Sequence, residues 1–125
     1  MTELRTLELK AYVPARDFEL SKAFYQDLGF TMEGIGDDLA CFHADGSSFL
    51  LQRFYVKEHA ENFMMHLLVP DVEAWWQRVQ ARDIAGKYGV RVLSPENRPW
   101  GIRDFVVVDP TSVLWRIGQS IEEET

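Results

Sequence analysis

The chain has 125 residues, 46% of them hydrophobic and 13% aromatic, which suits one domain or two small fused halves around a buried core and argues against disorder. Its formal net charge of −7 repels phosphate and makes nucleic acid a poor partner. The only cysteine, Cys41, excludes an intrachain disulfide or a CxxC zinc site; with no charged-then-apolar leader and no run of roughly 18 apolar residues, a soluble cytoplasmic protein away from the membrane is expected.

"TLELKAYVP" alternates, with Leu7, Leu9, Ala11 and Val13 on one side and Glu8, Lys10 and Tyr12 on the other, and predicts a half-buried strand ended by Pro14. "RDFELSKAFYQDLGF" predicts a helix capped by Asp17 and stopped at Gly29, with an apolar stripe of Leu20, Phe24 and Leu28. Strands are expected around Thr31–Ile35, Leu39–His43 and Ser48–Phe54, the last two joined by a turn at "ADGS". The pattern then restarts. "NFMMHLLVP" is a second strand ending in Val-Pro, and Asp71 caps a helix with Val72, Trp75, Trp76 and Val79 on one face. "GVRVL", "IRDFVVV" and "SVLWRIG" predict three more strands, the first two separated by a loop at "SPENRPWG".

The chain therefore reads β-α-β-β-β twice, in modules of about 5–56 and 61–120 within one domain spanning 1–125. Val13-Pro14 and Val69-Pro70 each precede a capping Asp; Asp45 and Asp109 precede Gln52 and Arg116 by equal intervals, which makes those two counterparts. The expected class is α+β: two four-stranded sheets, helices outside, inner faces bounding a curved eight-stranded cleft. If Val113, Trp115 and Ile117 pack under a helix, Leu114 and Arg116 face that cleft.

"VPARDFELSKAFYQDLGF" and "WGIRDFVVVDPTSVLWRI" resemble the opening and closing signatures of the vicinal oxygen chelate superfamily, which includes glyoxalase I, extradiol dioxygenases and the bleomycin-resistance proteins. The resemblance spans the whole chain and is closest to the bleomycin-resistance type. It implies a homodimer that exchanges its N-terminal strand around Pro14, with ligand grooves at the interface. "DPTS" departs from the usual "DPDG".

Enzymes of this superfamily hold one divalent metal through His, Gln and Glu. Carried over by position, those slots fall on Lys10, Gln52, Met64 (His66 after a slip of two) and Arg116. Two are cations, each repelling a divalent ion by roughly 8 kcal/mol at about 4 Å and an effective dielectric near 20. The resemblance therefore points to a metal-free protein without cofactor or catalytic residues, sequestering a small aromatic or antibiotic-like compound. The alternatives are a metal-dependent lyase or dioxygenase, or a regulatory module.

The candidate contacts are Lys10, Tyr12, Gln52, Phe54, His66, Trp100 and Arg116. Tyr12 and Phe54 offer either a wall for a flat ligand or dimer packing. His66 is either a structural residue or a ligand contact. Trp100 either caps the core or stacks on a ligand. Lys10 and Arg116 either pair with Glu8 or another cleft carboxylate, or grip an anionic or carbonyl group of the ligand.

Overall fold

Each half of the chain folds into its own four-stranded sheet in the computed structural model, which describes residues 3–121. The first sheet contains β1 (Tyr12–Pro14), β2 (Thr31–Gly34), β3 (Leu39–Ala44) and β4 (Ser47–Gln52), in the order β1-β4-β3-β2. The second contains β5 (Met64–Leu68), β6 (Val92–Asn97), β7 (Ile102–Val108) and β8 (Leu114–Ser120), in the order β5-β8-β7-β6. In both sheets the module's first strand runs parallel to its last, and helix α1 (Phe18–Leu28) or α3 (Val72–Ala81) makes the long connection. The sheets are open, and no ladder joins β1 to β5. The duplicated α+β architecture expected from the pattern is the one observed.

Asp17 and Asp71 cap α1 and α3 by accepting from Leu20 N and Ala74 N, so both N-caps read from the sequence are present. Two short helices, α2 (Lys57–Glu61) and α4 (Ile84–Tyr88), were not expected, since five residues are too few to show a period. The buried face of α1 is Phe18, Ser21, Phe24, Tyr25 and Leu28, while Leu20 of the expected stripe is exposed. Strand β6 extends through "SPEN", where a loop was expected; a register irregularity between Leu93 and Glu96 lets Pro95 sit in the strand.

One apolar core serves both modules. The Tyr25 ring lies 4.9 Å from Phe49 of the first sheet and 5.5 Å from Trp115 of the second, and Phe49 and Trp115 touch at 5.2 Å. By alternation, the side of each sheet turned away from this core carries Tyr12, Ser48, Leu50 and Gln52 in the first sheet, and Met64, His66, Leu68, Leu114 and Arg116 in the second. We call these the open faces.

The N-terminal strand departs from the sequence expectation. Only Tyr12–Pro14 pair with β4; Leu7 and Leu9, read as core-facing, are 100% and 95% exposed. The alternation of this arm is that of a strand, but nothing within the described part of the chain covers its apolar side.

The sheet register also corrects the correspondence of the halves. Tyr12 and Leu68, each one residue before its Val-Pro pair, stand opposite Leu50 and Gly118. Two residues back along β4 and β8 lie Ser48 and Arg116, so the counterpart of Arg116 is Ser48 rather than Gln52. Counting from the Asp pair misleads because Asp45-Gly46 turns directly from Ala44 to Ser47, whereas residues 109–113 bridge Val108 and Leu114.

In that longer turn Ser112 has φ +81°, a left-handed conformation that suits glycine. Ser112→Gly is expected to stabilise the protein by about 0.5–1 kcal/mol, the relief of strain exceeding the added freedom of the unfolded chain. A lower urea midpoint for the variant would contradict this.

Candidate functional site

The open face of the second sheet is built around Asp104 and Arg116. Asp104, 1% exposed on β7, accepts from Arg98 Nε at 2.9 Å and from Arg116 Nη1 at 3.4 Å through the same oxygen, Oδ1. Arg98 also donates from Nη1 to Glu96 Oε2 at 2.9 Å. Two guanidiniums and two carboxylates thus form a balanced cluster, which is how a nearly buried carboxylate is tolerated here. Gly118 makes room for it. A Cβ there would lie 2.8 Å from Ile102 Cγ2 and 3.0 Å from Asp104 Cβ. Gly118→Ala is expected to cost about 1–3 kcal/mol and to loosen the Asp104 cluster; unchanged stability by urea unfolding would refute this.

Arg116 is therefore paired with a cleft carboxylate, one of the two alternatives left open by the sequence. Lys10 is likewise paired: its Nζ donates to Glu8 Oε2 at 2.5 Å, and that hydrogen bond holds the ammonium above its usual pKa. Lys10 and Glu8 line a polar cavity of about 350 Å³ with Glu33, Cys41, His43 and Asp45.

A larger cavity of about 410 Å³ opens between the start of β4 and the middle of β5. Phe30, Phe49 and Trp115 form its floor, and the arm at Leu7–Leu9, Ser48 and His66 form its rim. Among the predicted contacts, His66 lines this cavity and Lys10 the polar one. Tyr12 and Gln52 lie on the open face of the first sheet. Phe54 follows β4 and is exposed. Trp100, 66% exposed, stands in the β6–β7 turn at the far end of the second sheet and does not cap the core. Within the chain these residues fall into separate groups. Sequence reasoning missed Asp104 and Arg98; the alternation along "IRDFVV" could have flagged Asp104 as an acid in an otherwise apolar strand.

The side chains at the carried-over metal positions do not form a donor set. An ammonium and a guanidinium have no lone pair to give, and both are engaged with carboxylates. Gln52 and Met64 or His66 remain, and among the described residues no group of three His, Cys, Asp or Glu is placed to hold an ion.

The family model described as "Glyoxalase/Bleomycin resistance protein/Dioxygenase superfamily" matches residues 8–117. A comparison with curated proteins yields no match. Among solved structures, the bleomycin-binding protein from Streptomyces verticillus in complex with copper(II)-bleomycin has a TM-score of 0.77 at 21% identity, covering 97% of this chain and 100% of that one. An antibiotic-binding protein from Streptomyces sp. CB03234 has a TM-score of 0.72 at 25% identity, covering 94% and 99%. Lactoylglutathione lyase from Agrobacterium tumefaciens has a TM-score of 0.68 at 17% identity, covering 93% and 95%.

Proposed function

Because the chain belongs to the glyoxalase/bleomycin resistance protein/dioxygenase superfamily, we propose that it is a cytoplasmic homodimer that binds a small, antibiotic-like aromatic compound without metal and without turnover. The observation that carries this reading is the second sheet's open face. It combines exposed Met64 and Leu68 with an arginine, Arg116, at a position where a metal enzyme of the superfamily needs a carboxylate. Apolar area with a few placed polar groups suits binding; a cation at the metal position does not suit Lewis-acid chemistry. The structural likeness to a lyase reflects the shared fold. No helix of the described residues is long and apolar enough to cross a membrane.

The exposed arm supports the dimer reading. Leu4, Leu7 and Leu9 are each at least 95% exposed, and burying a leucine is worth about 1.5–3 kcal/mol. A second copy that received this arm along its unpaired sheet edges would cover these leucines and set open faces of two subunits against each other. Tyr12, Gln52 and Phe54 of one copy would then share a groove with His66, Trp100 and Arg116 of the other.

Removal of residues 1–9 is expected to convert a dimer into a folded monomer that has lost ligand binding. Analytical ultracentrifugation and calorimetry check this; a native protein that is already monomeric would refute the arrangement. For ligand binding itself, an antibiotic panel is screened by tryptophan fluorescence and melting temperature. A saturating ligand at 100-fold its Kd stabilises by about 2.7 kcal/mol, which raises the melting temperature by several degrees. A panel that moves neither signal would count against sequestration, and stoichiometric metal in protein purified without chelator would favour the enzyme reading.

A further inference from the structure

Arg116 occupies the middle of the open face of the second sheet, with surroundings set by register. His66 stands across from it on β5 and Val106 across on β7. Met64 and Leu114 flank it toward the hairpin, and Leu68 and Asp104 lie in the row beyond. Four of these six are apolar, and Met64 and Leu68 are 59% and 55% exposed.

Asp104 serves Arg98 before Arg116, by the distances of 2.9 and 3.4 Å, and among the described residues Arg116 donates from its side chain to Asp104 alone, which leaves most of its five N–H donors uncommitted there. A third of its side chain, 33%, remains in solvent. A planar, weakly hydrated fork on apolar ground matches a planar oxyanion. The chain's net charge of −7 opposes anions at long range, but salt screens that field beyond about 8 Å. At contact distance the cluster is balanced, and Arg116 is the less committed of its two guanidiniums, donating to Asp104 alone where Arg98 donates to both Asp104 and Glu96. The first sheet's open side is the opposite case: Glu8, Glu33 and Asp45 outnumber Lys10 around its polar cavity.

We propose that Arg116 is the specificity-determining residue of this face and that it selects a planar aromatic ligand bearing a carboxylate- or sulfonate-like oxyanion. Asp104 is its positioning residue. The proposal rests on the small-molecule reading above and narrows its ligand to a charge class.

Two dyes that differ by one sulfonate test it on the full chain: 1-anilinonaphthalene-8-sulfonate and its neutral parent, N-phenyl-1-naphthylamine. The native protein is expected to bind the sulfonated dye about tenfold or more tightly than the neutral one, as a charge-assisted hydrogen bond implies. Arg116→Met should abolish that preference and leave neutral-dye affinity within about twofold. Arg116→Lys, which keeps the charge without the fork, should retain part of it. Arg103→Met, on a guanidinium paired with Glu73, should change nothing. Folding of Arg116→Met is expected because Arg98 still holds Asp104; should it fail, Arg116→Lys carries the test alone, and an undiminished sulfonate preference overturns the proposal. Equal affinity for both dyes, or a preference that survives Arg116→Met, overturns the anion inference and leaves the groove intact. Absence of binding by either dye to the native protein overturns both the inference and the groove reading.

Discussion

Tyr25→Phe is expected to destabilise the protein by about 2–4 kcal/mol, although it removes a single oxygen. The Tyr25 hydroxyl donates to Asp109 Oδ2 at 2.5 Å and accepts from Trp115 Nε1 at 2.8 Å. Asp109 is 2% exposed, and its other oxygen accepts from Thr111 N and Val113 N. This network joins α1 of the first module to the β7–β8 turn of the second. Phenylalanine would strand a buried carboxylate oxygen and an indole N–H, each costing about 1–3 kcal/mol. Urea unfolding checks this, with Tyr88→Phe as a half-buried comparison whose hydroxyl donates to Asp27 at 2.9 Å. A Tyr25→Phe midpoint equal to the native one would show that the network does not hold the modules together.

Stability is also expected to fall as pH rises from 4 to 6.5. Burial pushes the Asp109 carboxyl from 3.8 up to about 6, although hydrogen bonds from Tyr25 and the turn's backbone pull the other way. Its hydrogen-bond partners are all neutral. The folded state therefore holds this proton more tightly than the unfolded chain does. The resulting stability is fully present below the unfolded value of 3.8 and is lost as pH rises through about 6. A difference of about two units corresponds to about 3 kcal/mol. Asp27 acts at the other end. Lys87, Tyr88 and Arg82 hold it low against its partial burial, so its stabilisation is present above 3.8 and is lost as pH falls through its lowered value. An optimum near pH 4–5 is the expected outcome. Asp109→Asn should flatten the slope between pH 4 and 6.5, because the amide does not titrate. An equally steep slope in that variant would move the effect to other groups.

The strands and helices of this protein were legible because one face of each is buried, which writes a period into the sequence. Asp17 and Asp71 announced their helices, and Val113, Trp115 and Ile117 announced the covered face of β8. The same rule misled at the arm. Leu7 and Leu9 alternate as a buried strand does, yet the chain offers them no cover. Alternation reports that a face is suited to burial and not what buries it. Asp104 lay among apolar neighbours in "IRDFVV" without a visible partner, since Arg98 and Arg116 reach it only once β6, β7 and β8 are in register.

The sequence alone determined the duplicated α+β architecture and the family, because local periodicity, capping residues and turn signals act over a few neighbours and repeat in both halves. Only the tertiary structure decided that Arg116 is anchored by Asp104, that Ser48 is its counterpart, and that the N-terminal arm stands uncovered. Those facts depend on strand register and turn length, which bring together residues far apart in the chain and leave no mark on the pattern of either segment.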